Sequence, residues 1–336
     1  VSKFFQSFLD FKTRLCQNHQ SMEQMKIFAG NSNLDFARKV AAAAGLELGH
    51  CDIGRFADGE VQVEIHESVR GANVFVIQST CPPVNDNYME LFMILDALKR
   101  ASAKEITLVM PYYGYARQDR KVAPRAPISA KAVASLCQTA GANRLVAVDL
   151  HAAQIQGFFD GPVDHLFAIP TMARVWREEM GSGDDFVVVS PDAGGVERAR
   201  AFAKRIQSPI AIIDKRRSGP NEAQALHLIG DVRGKTALIA DDMIDTAGTL
   251  CQAVDSLMKN GAKRVFAVAT HPLLSGPAIQ RLRESPVEKV WVSDTIPLKK
   301  EAVGDPKFKV VSLAPVVAEA IRRIYTYDSV SALFDN

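Results

Sequence analysis

The segment TALIADDMIDTAGTLCQAVDSLMK, residues 236–259, runs from an unbroken apolar stretch through two carboxylates and a set of small and hydroxyl residues into an amphipathic pattern. An apolar run of this length reads as a strand buried on both faces, and the pattern after it reads as a helix from about Leu250 to Lys259. The nine residues DDMIDTAGT, Asp241 to Thr249, therefore sit at the carboxyl end of a parallel strand, where open α/β sheets bind ligands.

Outward from this unit the same alternation recurs. KIFAG, VFVIQS, ITLVMPY, LVAVDL, FVVVS, IAIID, VFAVAT and VWVSDT read as strands. Helical patterns lie near Asp35 to Ala44, Tyr88 to Ala101, Ser129 to Ala140 and Val196 to Arg205. Strands alternating with helices predict βαβ units around parallel sheets. A length of 336 residues suits two such domains. The expected layout is an extension outside the fold over residues 1–24, a first domain over 25–165 and a second over 166–336. GANVFVIQS followed by a helix and SAKEITLVMP matches GKTALIADD followed by a helix and GAKRVFAVATHP, which points to duplication.

Composition narrows the classes. The chain is 47% hydrophobic and 23% charged with a formal net charge of +2, which provides no global field for nucleic acid or a membrane surface. Five scattered cysteines show neither a disulfide framework nor zinc-ligand spacing, and point to a reducing cytoplasm. No apolar run approaches the ~20 residues that span a bilayer. GDVRGKT, residues 230–236, imitates a P-loop but has three residues between its glycines and precedes a strand, so it is rejected.

The chemistry of DDMIDTAGT divides in two. Thr246, Ala247, Gly248 and Thr249 at a helix N-terminus offer N–H groups, hydroxyls and a positive dipole end to phosphate. Asp241 and Asp242 would repel phosphate, so they must accept hydrogen bonds from hydroxyls or face a metal. Phosphate at one end and vicinal hydroxyls at the other describe a sugar phosphate. Elsewhere, Asp58-Gly59 in RFADGEVQVEI is a hairpin turn before the alternating strand Val61, Val63, Ile65. Arg117, Gln118, Arg120, Lys121 and Arg125 follow three tyrosines and fit either an RNA patch or a solvated loop. His151 ends LVAVDL and Asp192 follows FVVVS, positions from which they could ligate magnesium already held by phosphate. DKRRSGPN, residues 214–221, has the composition of a mobile loop that closes over a polyanion.

DDMIDTAGT closely resembles the phosphoribosyl pyrophosphate loop of type I phosphoribosyltransferases. With GRFADGEVQVEI, PYYGYARQDRK, DLHAAQIQGFF, SPDAGG, DKRR and SVSALF it resembles ribose-phosphate pyrophosphokinases of the bacterial class I type. This resemblance implies two tandem phosphoribosyltransferase-like α/β domains, each a mostly parallel sheet flanked by helices. It also implies transfer of the β,γ-diphosphoryl group of ATP to ribose 5-phosphate. In that pattern Phe56, Asp58, Gly59, Glu60, Arg117 and Gln118 bind ATP, Phe56 packing on adenine while Asp58 and Glu60 contact the nucleotide from a neighbouring subunit. His151 and Asp192 contact Mg2+, and Lys215 and Arg217 are catalytic, Arg217 also holding ribose 5-phosphate. Asp241, Asp242, Asp245, Thr246, Ala247, Gly248 and Thr249 bind ribose 5-phosphate. Ser329, Ser331 and Phe334 match a regulatory site, implying a homohexamer, activation by inorganic phosphate and inhibition by ADP. The rival expectations are a phosphoribosyltransferase that consumes phosphoribosyl pyrophosphate, and a non-catalytic regulatory homologue.

Overall fold

The computed structural model describes residues 25–216 and 225–334, and for residues 215, 216, 225 and 226 the description is confined to the backbone. The expected extension, residues 1–24, and residues 217–221 of DKRRSGPN, Arg217 among them, lie outside the described residues.

Strand β1 (Met25–Ala29) leads to helix α1 (Leu34–Ala43), the hairpin β2 (Cys51–Arg55) and β3 (Val61–Ile65), then β4 (Asn73–Ile77) and α2 (Val84–Arg100). Next come β5 (Glu105–Met110), α3 (Ser129–Ala140), β6 (Arg144–Val148), β7 (Val163–Leu166) and α4 (Ile169–Met180). The chain continues through β8 (Phe186–Ser190), α5 (Val196–Ile206), β9 (Ile210–Arg216), β10 (Ala225–Ile229), β11 (Thr236–Ile244) and α6 (Gly248–Lys259). It finishes with β12 (Arg264–Pro272), α7 (Ala278–Glu284), β13 (Val290–Ser293), β14 (Phe308–Val311) and α8 (Ala314–Thr326).

Among the described residues these strands form a five-stranded sheet ordered β1-β4-β5-β6-β7, a seven-stranded sheet ordered β10-β9-β8-β11-β12-β13-β14, and the β2-β3 hairpin. The five-stranded sheet is parallel throughout. In the seven-stranded sheet only the β10 edge is antiparallel. The α/β class with mostly parallel sheets is thus present, and the apolar runs of β4, β6, β8 and β13 are buried almost end to end, as strands covered on both faces must be. The hairpin alternates instead, so one face is half-buried and the other exposed. Its turn uses Gly59 at φ +97°, a conformation available to glycine without a Cβ penalty.

The sequence pattern misses β7, β10, β14, α4, α7 and α8. Two of these helices close the core. Trp176 of α4 is 1% exposed and meets Trp291 of β13, Phe266 of β12 and Phe186 of β8 at ring centroid distances of 5.0, 5.5 and 5.9 Å. Helix α8 packs on α1, with Val317, Ala318 and Ile321 joining Ala37, Val40 and Ala41 in one apolar cluster. That cluster also contains Phe75 and Val146 of the first sheet and Val188 and Leu238 of the second, so a continuous core joins the two.

A second departure concerns DKRR. The composition after IAIID reads as a loop, but Lys215 and Arg216 extend β9, opposite Leu226 and Ala225 of β10. Because β9 runs parallel to β8, Lys215 emerges at the same edge of the sheet as Asp241.

Trp176→Ala removes the centre of the aromatic cluster and is expected to cost about 3–5 kcal/mol, read as a lower denaturant midpoint in equilibrium unfolding.

Candidate active site

In the second sheet β8 neighbours both β9 and β11, so the chain proceeds outward on one side through β9 and on the other through β12 and β13. This reversal of strand order is a topological switch point, and it opens a crevice at the carboxyl ends of β8 and β11. The first sheet has no such reversal among its described strands. β11 is longer than the sequence suggested: it pairs with β8 only to Ile239, but with β12 as far as Ile244. Asp241 and Asp242 are therefore strand residues, set where β11 has lost one neighbour.

A cleft of about 300 Å³ at this point is lined by Arg117, His151, Asp192 and the continuous stretch Asp241 to Leu250. The phosphate-type turn lies between β11 and α6. Helix α6 starts at Gly248, two residues earlier than expected, and Ala247 before it adopts a left-handed conformation at φ +59°. The turn is fastened from outside by Ser275 N–H donating to Asp245 O at 2.8 Å and by Arg281 donating to Thr246 O at 3.0 Å. Gly248, Thr249 and Leu250 of the first α6 turn line the cleft without a side-chain cap, and the N–H groups of a helix's first turn suit a phosphate cradle.

Asp242 is 4% exposed and has two basic partners. The His151 ring Nδ1 lies 2.7 Å from Asp242 Oδ2, and Arg198 of α5 lies 3.6 Å from Asp242 Oδ1 and 3.5 Å from Asp241 Oδ1. Burial opposes ionisation of Asp242, but the His151 hydrogen bond and the Arg198 charge outweigh it and hold this acid well below the usual carboxylate range. Burial and the adjacent Asp242 charge push Asp241 upward. The same hydrogen bond raises His151 against the lowering effect of its burial. Arg198 went unnoticed in the sequence; its only signal was its place one turn into the helix after SPDAGG.

Arg117 donates to Asp245 Oδ2 at 2.7 Å, so a residue expected to meet ATP touches the sugar-phosphate turn. Gln118 instead accepts from the Ser129 hydroxyl. Asp192 uses Oδ1 to accept from Gly195 N–H at 2.9 Å. No cluster of three or more His, Cys, Asp or Glu placed for a metal occurs among the described residues. With Nδ1 of His151 engaged by Asp242 and Oδ1 of Asp192 by Gly195, His151 Nε2 and Asp192 Oδ2 are available as donors on the cleft. A pair of donors fits a magnesium ion whose remaining ligands are phosphate oxygens and water.

Some expected residues are not brought together. Phe56, 52% exposed, stands with Asp58, Gly59 and Glu60 at the hairpin tip, outside the cleft lining. Ser329 and Ser331 share a hydroxyl contact of 2.9 Å, and Phe334 meets Phe167 edge-on at 5.4 Å, also outside that lining.

Fold and site define a doubly wound α/β protein with a phosphate turn at a switch point and paired carboxylates beside it. A family profile described as the N-terminal domain of ribose phosphate pyrophosphokinase matches residues 25–141, and one described as the phosphoribosyl synthetase-associated domain matches residues 216–335. A ribose-phosphate pyrophosphokinase of Bacillus caldolyticus is 54% identical over 312 residues, 93% of this chain and 98% of that protein. One of Caldanaerobacter subterraneus subsp. tengcongensis is 57% identical over 310 residues, covering 92% and 98%. The crystal structure of phosphoribosylpyrophosphate synthetase from Mycobacterium smegmatis superposes with a TM-score of 0.86 at 44% identity, covering 90% of this chain and 99% of that one. The chain belongs to the ribose-phosphate pyrophosphokinase family.

Asp242→Asn is expected to bring the His151 titration down toward the ordinary imidazole value of 6.5, observable by imidazole NMR. Because the folded value is raised, stabilisation by the pair in the unsubstituted protein is complete below 6.5 and is lost as pH rises through the raised value.

Proposed function

We propose that this protein transfers the β,γ-diphosphoryl group of ATP to the anomeric hydroxyl of ribose 5-phosphate, releasing AMP and forming phosphoribosyl pyrophosphate. The observation that carries the reading is the convergence of Arg117, His151 and Asp192 with the Asp241–Thr249 stretch on one cleft. Family membership at more than half identity to ribose-phosphate pyrophosphokinases supports it.

In this reading the N-terminal turn of α6 and the hydroxyls of Thr246 and Thr249 bind the 5-phosphate. Asp241 and Asp242 face the ribose hydroxyls and fix the sugar's orientation; Asp242, already paired with His151 and Arg198, acts as an anchor and not as a base. Arg117 and Gln118 hold the nucleotide. Phe56 packs on adenine, and Asp58 and Glu60, either side of Gly59 at the exposed hairpin tip, contact the nucleotide of a neighbouring subunit. The anomeric oxygen attacks the β-phosphorus in line, the bond from that phosphorus to the oxygen of the α-phosphoryl group breaks, and AMP departs. Lys215, from the sheet edge that carries Asp241, and Arg217 neutralise charge spreading over the transferred group. Mg2+, held by His151 and Asp192 with phosphate and water, would supply positive charge to the polyphosphate. Protein groups otherwise act by positioning.

The further proposals are a domain division at residues 165/166, a cytoplasmic homohexamer, activation by inorganic phosphate and inhibition by ADP, with Ser329, Ser331 and Phe334 at the regulatory site. Among the described residues no helix is long and apolar enough to cross a membrane.

A phosphorus NMR time course with ATP, magnesium and ribose 5-phosphate tests the chemistry. AMP and a diphosphorylated sugar should appear together without any nucleobase. Formation of ADP, or a requirement for a nucleobase, would refute the proposal. Lys215→Ala is expected to lower turnover ~10²–10³-fold at saturating ATP and magnesium.

A further inference from the structure

His271 lies near the end of β12, beside Met243 of β11 in the register of the sheet, and is 2% exposed. Its side chain reaches out of the second sheet to the first. Nε2 lies 3.2 Å from both Val148 O and Asp149 O, the last carbonyls of β6 and of the turn that follows it. Carbonyls only accept, so Nε2 carries the proton and shares it between them. Nδ1 is then bare in the neutral ring and accepts from the Thr295 hydroxyl at 2.9 Å. Full burial holds this histidine below the ordinary imidazole value, which keeps both nitrogens satisfied in that single arrangement. The ring also meets Tyr112 edge-on at 5.0 Å, five residues before Arg117.

Asp149 is where this tie acts. It is a non-glycine residue with φ +39°, a conformation that L-residues adopt only when their surroundings hold them there. Its carbonyl accepts from His271, and its carboxylate Oδ2 accepts from Thr270 Oγ1 at 2.5 Å and from Ala168 N–H at 3.3 Å. Thus two consecutive residues of the second sheet, Thr270 and His271, grip one strained residue of the first. The chain turns at Asp149 and two residues later presents His151, whose Nδ1 closes on Asp242.

We propose that His271 is a positioning residue for the nucleotide side of the site: by holding the left-handed turn at Asp149 through the Val148 and Asp149 carbonyls, it aims His151 at the cleft. This rests on the function proposed above, in which His151 helps hold the metal–nucleotide complex. The α6 turn is fastened by Ser275 and Arg281 and not by His271, and Asp242 keeps Arg198 as a second partner, so ribose 5-phosphate binding should depend on His271 less than metal–nucleotide binding does.

The test compares His271→Leu, which keeps the bulk and removes the donor, with His271→Gln, whose Nε2 can reach the same carbonyls. Two probes are bound separately: manganese with a non-hydrolysable ATP analogue, read by water-proton relaxation, and ribose 5-phosphate, read by calorimetry. By analogy with other groups that orient a metal-binding histidine, the leucine variant should bind the manganese–nucleotide probe about 10- to 100-fold more weakly, with a clearly smaller loss of ribose 5-phosphate affinity. The glutamine variant should recover most of the loss. If the leucine variant does not fold, His271→Asn, whose shorter amide stops short of the carbonyls, takes its place. The proposal is overturned if the variant without the donor binds the manganese–nucleotide probe like the unsubstituted protein. It is equally overturned if both probes weaken alike with glutamine no better than leucine. An unsubstituted protein that binds neither probe would instead refute the function on which the proposal stands.

Discussion

Everything in the cleft depends on keeping the Asp242 carboxylate ionised while it is almost out of water. A lone buried charge would take up a proton or expel its neighbours, so it persists only with partners at hydrogen-bonding distance. Here one partner, His151, comes from the end of β6 in the first sheet, and the other, Arg198, comes from α5 in the second. The charge is therefore shared between the two halves of the chain. Holding it fixes where β6 ends relative to β11, which in turn decides where Asp192, Arg117 and the phosphate turn face one another. The rest of the seam is built in the same polar idiom. Ser79 Oγ donates to Thr295 O at 2.5 Å, and Asn33 donates to Asp294 O at 2.8 Å.

The central strands were legible because parallel strands covered on both faces carry apolar runs, as β4 and β8 do over most of their length and β11 does from Ala237 to Ala240. The strands and helices missed at the periphery lacked that constraint. β14 is short, with Lys309 in its middle, and β10 carries His227 within ALHLI. Helix α4 was obscured by RVWREEM, whose charges suggest a surface although Trp176 among them is the largest fully buried side chain among the described residues. Strand order was not legible at all. The alternation of strands and helices is the same whether β11 settles beside β8 or beside β14; only packing in three dimensions selects the reversal that opens the crevice.

The residues of the phosphate turn were readable because their chemistry is local: small and hydroxyl side chains at a helix start act together by adjacency in sequence. Arg198, Thr270 and His271 act only across space. Arg198 sits 43 positions from Asp241, and His271 reaches carbonyls more than a hundred positions away. Nothing in the wording of ATHP marks its histidine as a bridge to another sheet. The placement of Lys215 and Arg216 in a strand shows a related limit: charge-rich composition suggests solvent, yet an edge of a sheet next to a site is also where charges are needed.

Helix α8 covers the face of α1, although almost the whole chain lies between them in sequence. A polypeptide leaves the ribosome from its N-terminus, so Ala37, Val40 and Ala41 emerge early and stay uncovered until residues 314–326 have been made. During synthesis the first sheet is a partner in waiting, with an apolar strip open to any other nascent chain nearby. Burial of that strip by α8 makes synthesis of residues 314–326, and not completion of the first sheet, the event that ends this exposure.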